Sequence, residues 1–143
     1  MSDAKSNDFE TALLGLIFNA TSIASLAGDA TSPTSLLSVA LHTADPTDTG
    51  NQGSSECVYT SYARVQVARN SSGWTVSGST VQPSTTISFP QATGGSETAT
   101  HFSVGMSTVT TSNILYMGTI SPNISISNGV TPQLTTATVI TEA

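Results

Sequence analysis

The sequence predicts a mainly β protein, built as a single antiparallel β-sandwich of the jelly-roll or Greek-key type with one short N-terminal helix. Three observations predict this fold class. Ser and Thr make up about a third of the 143 residues, and β-branched residues alternate with hydroxyl residues through most of the chain. Pro, Gly and Asn punctuate a series of short runs that have no helical pattern between them. Because a parallel sheet would need crossover helices, the strands are expected to be antiparallel.

The length predicts one domain over residues 1–143, with a polar leader at 1–7. A helix is expected at 8–19, since Ser6, Asn7 and Asp8 are N-cap candidates and acidic residues stand in the first turn. A loop is expected from Asn19 to Pro33. The apolar positions of this helix follow helical spacing and give it a wide apolar side, formed by Phe9, Leu13, Leu14, Leu16, Ile17 and Phe18.

The β-sandwich is expected over 35–141. Its first strand is Leu36–His42, followed by a polar surface loop, Thr43–Glu56, in which an Asx-type turn is expected at Asp45. Tyr59–Arg69 alternates cleanly and is expected to form a hairpin with the strand that begins at Trp74, through a turn at 70–73. The remaining strands are expected at Thr85–Phe89, His101–Met106, Ile114–Ile120, Asn123–Ser127 and Leu134–Ile140.

Charge and hydropathy exclude two classes of partner. Only 8% of the residues are charged, the formal net charge is −6, and Lys and Arg together number three. A phosphate backbone needs several neutralising cations, so nucleic-acid binding is not expected. The polar N-terminus does not resemble a secretory signal, and the longest apolar stretch, Ala12–Phe18, is too short to cross a bilayer. Synthesis in a cytoplasm and no membrane partner are therefore expected.

The sequence offers few groups for chemistry, so we expect no enzyme activity, no cofactor and no metal. Its two imidazoles are His42 and His101, and Cys57 is alone. Zinc would need three or four such ligands. Asp45 and Asp48 could offer oxygens to a cation, but calcium takes six to eight ligands. The chain also lacks a Gly-x-Ser-x-Gly elbow.

Aromatic and cationic residues are the remaining candidates for a binding role. Four aromatic residues could form a sugar-stacking platform, namely Tyr59, Tyr62, Trp74 and Tyr116, although a lone Trp is more often a core or interface anchor. The two arginines of the predicted strand are candidate ion-pair or interface residues. The residues expected at an interface are Phe9, Leu13, Leu14, Ile17, Phe18, Arg64, Arg69 and Trp74.

Several blocks of the sequence, in order, resemble a family of small tailed-bacteriophage virion structural proteins, whose members are described as capsid decoration (cement) or tail-fibre proteins. The resemblance covers about residues 9–142. The blocks that carry it are Leu36–Pro46, Tyr62–Val65, Ile87–Pro90, Thr100–Gly105 and Asn123–Pro132. It implies a β-rich component of a phage particle, and it carries over no catalytic residue.

The sequence favours the head over the tail. A fibre shaft normally shows extended repeats or coiled-coil heptads, and this chain shows neither. The expected function is therefore that of a capsid decoration protein at the capsid surface of the virion. It would bind the major capsid protein and copies of itself, as a dimer or trimer. The alternative is a minor tail or tail-fibre-associated protein that contacts tail proteins or recognises a host surface glycan through the Thr43–Glu56 loop and exposed aromatic residues.

Overall fold

The structure is a computed structural model that describes residues 5–23, 26, 34–106 and 112–143. In chain order, helix α1 spans Asn7–Asn19. The strands are β1 (Leu36–His42), β2 (Val65–Ala68), β3 (Trp74–Ser77), β4 (Thr80–Pro83), β5 (Ile87–Ser88), β6 (Ser96–Gly105), β7 (Ile114–Ser127), β8 (Gln133–Leu134) and β9 (Ile140–Thr141).

The described residues group into two compact units. The first takes its residues from the ranges Met1–Leu36, Ala68–Thr86 and Thr135–Ala143, and the second from Leu37–Val67 and Ile87–Leu134. The prediction of a single domain stays a prediction. Most of the expected leader at 1–7 and most of the expected loop at 19–33 lie outside the described residues.

Helix α1 belongs to the first unit and has the ends that its sequence predicts. The Ser6 hydroxyl accepts a hydrogen bond from the Phe9 amide at 3.3 Å, which caps the N-terminus. At the other end Ala20 adopts a left-handed conformation, with φ of 53°, and the Thr21 amide donates to the Gly15 carbonyl at 3.0 Å. Such a Schellman-type ending satisfies a carbonyl that the helix leaves unpaired. The predicted helix at 8–19 is confirmed, with its start one residue earlier.

The core of the first unit forms where α1 meets β3. Leu14 and Phe18 are fully buried, and Trp74 is 1% exposed. The rings of Phe18 and Trp74 pack edge to face, with centroids 4.7 Å apart, a favourable arrangement for aromatic pairs. This contact fixes the helix over the start of the strand.

Arg69 closes the C-terminal end of α1. Its Nε donates to the Ile17 carbonyl at 2.6 Å, and its Nη2 donates to the Leu16 carbonyl at 2.5 Å. Its Nη1 donates to the Thr34 carbonyl at 3.1 Å. The guanidinium thus satisfies helix carbonyls at the end where the helix dipole favours a positive charge.

The hairpin of the first unit is not the one that the sequence predicts. β3 pairs with β4 through Gly78 and Ser79, and β9 pairs on the other side of β4. Gly78 has a φ of +58°, which glycine adopts without strain. The predicted pairing of Tyr59–Arg69 with the strand at Trp74 is wrong, although the turn at 70–73 is confirmed by a Gly73 amide bond to the Asn70 carbonyl.

The second unit carries a four-stranded antiparallel sheet with the order β2-β1-β6-β7, and a two-stranded sheet, β5-β8. In the larger sheet β1 is a central strand, and its residues Leu37–His42 are all buried. The predicted fold class, mainly β and antiparallel with one N-terminal helix, is confirmed, and within this unit the sheets form a sandwich-like fold. The jelly-roll or Greek-key type stays a prediction.

The strand predicted at Tyr59–Arg69 differs from the structure for an identifiable reason. Only Val65–Ala68 of the predicted Tyr59–Arg69 strand is extended in the sheet. Before it, Ser61 has a φ of 81°, and the Val58 and Tyr59 amides both donate to the Glu97 carboxylate at 2.8 Å. A side chain from another strand therefore replaces the ladder partners that an alternating strand would need.

The C-terminal strands also differ. The two strands predicted at Ile114–Ile120 and Asn123–Ser127 form one strand, β7. It continues through Pro122 because the register shifts between Ala99 and His101 of β6, and such a bulge accommodates a proline that cannot donate to the ladder. The predicted strand Leu134–Ile140 is reduced to β8 and β9 at its two ends.

Arg69→Ala is expected to destabilise the first unit by about 1.5–3 kcal/mol, the range for hydrogen bonds to charged groups, because it leaves the last helix carbonyls without their donor. Fluorescence of Trp74, the one tryptophan of the chain, reports unfolding of this core in a denaturant titration. Lys5→Ala is the matched control, since it also removes a cation, one that pairs with Glu142 and binds no carbonyl of the helix. Equal midpoints for wild type and Arg69→Ala would contradict this role.

Candidate functional site

The loop at residues 43–56, which follows β1, is closed at its base by main-chain hydrogen bonds. The Thr43 amide donates to the Ser55 carbonyl at 2.8 Å, and the Cys57 amide donates to the Leu41 carbonyl at 2.9 Å. Further along, the Thr47 amide donates to Asp45 Oδ1 at 2.8 Å. This bond confirms the predicted Asx-type turn, and it makes the first part of the loop a defined turn.

Gly50 allows the main chain of the loop to pass close to the Pro46 carbonyl. A Cβ at this position would lie 1.9 Å from the Pro46 carbonyl oxygen, so no other residue fits without a shift of the backbone. Pro46 itself is buried, whereas Thr47, Asp48 and Thr49 are exposed. The loop therefore has a packed base and a short exposed tip.

A buried polar network lies beneath this loop, and we define it as His42, Gln52, Glu56, Tyr62, Arg64 and Ser103, all in the second unit. His42 is fully buried. Its Nδ1 lies 2.8 Å from the Ser54 carbonyl and its Nε2 lies 2.7 Å from Ser103 Oγ. Since a carbonyl only accepts, Nδ1 carries the proton and Nε2 accepts from the Ser103 hydroxyl. Burial lowers the pKa of His42, which keeps the ring neutral.

Gln52 connects the loop to three other elements. Its Nε2 donates to the Ser38 carbonyl of β1 at 3.0 Å and to Ser103 Oγ of β6 at 3.3 Å. Its main-chain amide donates to the Ser112 carbonyl, just before β7, at 2.9 Å. A Cβ on Gly105 would lie 2.4 Å from Gln52 Oε1. The close approach of loop and sheet thus depends on a glycine as well as on the glutamine.

The Glu56–Arg64 ion pair forms the other half of the network. Arg64 Nε and Nη2 donate to the two carboxylate oxygens at 2.7 and 2.8 Å, and Nη1 donates to Gln52 Oε1 at 3.3 Å. The Arg64 side chain is only 5% exposed and the Glu56 side chain 14%. The Tyr62 hydroxyl donates to Glu56 Oε1 at 2.8 Å and accepts from the Leu41 amide. The bond to Glu56 raises the pKa of Arg64, and burial raises that of Tyr62.

Ser103 and His42 are the residue types of a catalytic nucleophile and its general base, but solvent and substrate cannot reach them. Ser103 and His42 are hydrogen bonded and both 0% exposed, so no substrate atom reaches the hydroxyl in this arrangement. Cys57 is also buried, and burial raises the pKa of its thiol to about 12, well away from the thiolate that acts as a nucleophile. These contacts stabilise the loop and the sheet.

No group of three or more His, Cys, Asp or Glu side chains lies close enough to hold one metal ion within residues 5–23, 26, 34–106 and 112–143. Within the same residues, no helix combines the length and the hydropathy required to span a bilayer.

A groove of about 420 Å³ lies between the loop and β7, within the volume range of small-ligand sites. We call it the edge groove. Its loop side is formed by Thr47, Asp48 and Gly50, and its sheet side by Asn113–Met117. The network beneath the loop determines the position of the first wall, and the β6–β7 ladder determines the position of the second.

The model of the family Podophage GP4 fiber I protein gp80 matches residues 4–142. The chain belongs to this family. The match confirms the resemblance to small tailed-phage virion structural proteins, and it places the gp80 family member in the virion. A search of curated proteins found no match.

In this gp80 family member, three of the predicted interface residues are core residues of the first unit, namely Leu14, Phe18 and Trp74. Arg69 binds helix carbonyls and Arg64 belongs to the buried network. Three others lie half-buried on α1, and their interface role stays a prediction: Phe9, Leu13 and Ile17.

The four aromatic residues do not form an exposed platform. Tyr59 and Trp74 are 3% and 1% exposed, and the Tyr62 hydroxyl is held by Glu56. Tyr116 alone among the four lines the edge groove. Sequence reasoning missed Gln52, Glu56 and Ser103, since nothing local marks an uncharged glutamine or one serine among many. One signal was available in the sequence. The chain has only three cations, and one of them, Arg64, lies eight residues after Glu56, which indicates a candidate ion pair.

The lowered pKa of His42 predicts a loss of stability on acidification. The unfolded ring takes up a proton below its ordinary pKa of about 6.5, whereas the folded ring does not until the pH is lower. Between pH 7.5 and 5.5 the wild type is expected to lose up to about 1.4 kcal/mol more unfolding free energy than His42→Gln. Urea titrations followed by circular dichroism measure this difference.

The control for this measurement is His101→Gln. This variant removes the imidazole that lies opposite His42 in the β1–β6 register, and it retains the buried His42 ring. It is expected to lose stability on acidification as the wild type does. Parallel pH profiles for wild type and His42→Gln would show that His42 is not the group responsible.

Proposed function

We propose that this protein is a fibre-associated component of the phage virion that recognises the host surface through the 43–56 loop. The description of the gp80 family as a fibre protein supports the association with a fibre. The observation that carries the recognition role is the structure of the loop itself, which has an exposed tip on a base held by buried hydrogen bonds. Binding residues are characteristically found on loops that a rigid scaffold positions.

The distribution of polar groups supports binding over catalysis. Groups that could transfer protons, among them His42, Ser103 and Glu56, point into the protein and bond to one another. Outward at the loop tip stand hydroxyl groups and a carboxylate, on Thr47, Asp48 and Thr49. Exposed groups of this kind can form hydrogen bonds to a polar surface. A general base must lie within hydrogen-bond reach of its substrate, and the buried groups do not meet this condition.

The order of the loop favours affinity. A flexible loop loses conformational entropy when it binds, at roughly 0.5–1.5 kcal/mol for each side chain that becomes fixed. Here the Asx-type turn at Asp45, the packing of Gly50 and the bonds of Gln52 order the loop before any partner arrives. Many copies of a weak, ordered contact on one particle would give strong attachment.

Capsid decoration, the function expected from the sequence, has less support. The absence of repeats and heptads argued against a fibre shaft, but a compact module attached to a fibre needs neither. A head protein would hold capsomers together through large buried surfaces, whereas the gp80 family is described as a fibre protein. Both functions place the chain in the virion. They differ in whether the protein is recovered with purified heads or with tails and fibres.

The recognition role predicts that Ala44→Arg combined with Thr49→Arg weakens binding of the isolated protein to envelopes of the host bacterium at least about tenfold, a change of ~1.4 kcal/mol. Both residues are exposed on the loop and lie outside the edge groove. Two bulky cationic side chains there would block close contact. Co-sedimentation of labelled protein with envelope vesicles measures the affinity.

The matched control is Thr136→Arg combined with Ala137→Arg, which changes the same residue types at two exposed positions outside the loop. It is expected to bind as the wild type does. Equal binding by all three proteins would contradict recognition through the loop. Recovery of the protein with purified heads and not with tails and fibres would contradict the fibre placement and restore capsid decoration.

A further inference from the structure

The edge groove has an exposed polar side chain on each of its walls. On the loop side, Asp48 is exposed and forms no ion pair with the described residues. On the sheet side, Asn113 is exposed, and no hydrogen bond among the described residues uses its side-chain amide. A carboxylate accepts hydrogen bonds, and an amide both donates and accepts them. The two walls therefore offer complementary groups to one ligand between them.

Apolar residues complete the sheet side of the groove. Ile114, Leu115 and Met117 line it and are half-buried. A site for a small organic ligand typically combines such an apolar lining with a few polar groups that orient the ligand. A saccharide matches this combination, because a sugar ring carries hydroxyl groups around its rim and C–H groups on its faces. The groove thus has both kinds of contact that a sugar ring uses.

A strained residue forms part of the loop side. Thr47 lines the groove and has a φ of 63°, which is rare for a β-branched residue. Its amide donates to Asp45 Oδ1 at 2.8 Å, and its carbonyl accepts from the Gly50 amide at 3.1 Å. Both main-chain groups are thus held in this conformation. Strain of this kind is concentrated where a protein clamps a ligand, so it is a second and independent sign that this wall binds something.

The charge of the chain selects the class of saccharide. The net charge is −6, and the three cations of the sequence are engaged away from the groove: Lys5 in an ion pair, Arg64 in the buried network and Arg69 on helix carbonyls. A phosphorylated or acidic sugar would meet the Asp48 carboxylate with no cation beside it, and like charges at an interface are strongly unfavourable. The groove therefore favours a neutral saccharide.

An extended peptide fits the groove less well. Peptides that add to a sheet edge bind through a regular main-chain pattern. Here the register steps from Val104 paired with Tyr116 to Gly105 paired with Ile114, so Leu115 is an extra residue on β7. This bulge interrupts the main-chain pattern along the sheet side of the groove. Recognition through side chains is thus favoured over pairing with a strand.

We propose that the edge groove binds a neutral saccharide of the host envelope, held by Asp48 on one wall and by Asn113 on the other. This inference rests on the proposed function, for which it names the ligand class and the binding site. The Asp48 carboxylate and the Asn113 amide bond to sugar hydroxyl groups, and the apolar residues of β7 contact the ring. Thr47 is a positioning residue, since its fixed main chain holds the loop wall in place.

Titration with separated polysaccharides tests the ligand class. Host envelope polysaccharide is divided by anion exchange into a neutral and an acidic fraction, and each is added to the isotope-labelled full-length protein. We expect the neutral fraction to shift the amide NMR signals of Asp48 and Asn113 and to leave those of β3 and β4 unchanged. The acidic fraction is expected to leave all of these signals unchanged.

A variant of the sheet wall tests the site without altering the loop. Asn113→Leu keeps a side chain of similar size and removes its hydrogen bonds. It is expected to weaken binding of the neutral fraction about tenfold, within the range for a lost hydrogen bond that leaves a polar group unpaired. Asn123→Leu is the matched control, because Asn123 is an exposed residue of β7 outside the groove. It is expected to bind as the wild type does.

A variant of the strained residue gives a readout that a purely structural role would not. Thr47→Gly relieves the backbone strain, so its urea midpoint is expected to be at least that of the wild type. Its affinity for the neutral fraction is expected to fall at least about threefold, or ~0.65 kcal/mol, since the freed loop must be ordered on binding. The control is Ser61→Gly, which changes a residue with a φ of 81° outside the loop and the groove and is expected to retain wild-type affinity.

Four results would overturn the proposal. The first is that the neutral fraction leaves the Asp48 and Asn113 signals unchanged. The second is binding of the acidic fraction at least as tight as that of the neutral one. The third is equal affinity for Asn113→Leu and Asn123→Leu. The fourth is protection of the Asp48 and Asn113 amides from exchange in purified virions without saccharide, which would make the groove a site for another virion protein.

Failure here is distinguishable from failure of the proposed function. If Ala44→Arg combined with Thr49→Arg weakens envelope binding and Asn113→Leu does not, the loop recognises the host and the groove is not the saccharide site. If neither variant weakens envelope binding, recognition through the loop is itself contradicted.

Discussion

The second unit depends on one buried glutamine that joins an imidazole to an ion pair. Removing a carboxylate, a guanidinium and a neutral imidazole from water is unfavourable unless each is hydrogen bonded. Gln52 donates to Ser38 and Ser103 through its nitrogen and accepts from Arg64 through its oxygen. Both ends of the amide are thereby used, and the loop that carries it is held in one position.

This constraint explains how a chain with so few charged residues builds a defined surface. The ionisable side chains of His42, Glu56 and Arg64 lie in the buried network, where they order the 43–56 loop. The exposed tip of the loop carries the hydroxyl groups of Thr47 and Thr49 and the carboxylate of Asp48. The same anchoring forms the edge groove, because the Gln52 amide donates to the Ser112 carbonyl, two residues before β7, and Gly105 allows the close approach. The one ordered loop therefore supplies both the exposed tip, for which we propose host recognition, and one wall of the edge groove.

Local signals in the sequence predicted local structure well. Helix α1 follows from its cap and apolar spacing, β1 from a continuous apolar run, and the turn at Asp45 from an Asx side chain before proline. The hairpin was mispredicted because alternation indicates an extended segment but does not specify its partner, and Glu97, distant in sequence, binds the amides of Val58 and Tyr59. The candidate site could not be predicted for the same reason, since Gln52 and Ser103 are 51 residues apart.

Amide hydrogen exchange in Gln52→Met tests the central claim most directly. Methionine keeps the shape of the side chain and removes its hydrogen bonds to Ser38, Ser103 and Arg64. If the network orders the loop, the amides of Thr43 and Gly50, which are bonded within the loop, exchange faster than in the wild type, while the amides of β3 and β4 are unchanged. Unchanged exchange at Thr43 and Gly50 would show that the loop is ordered without Gln52.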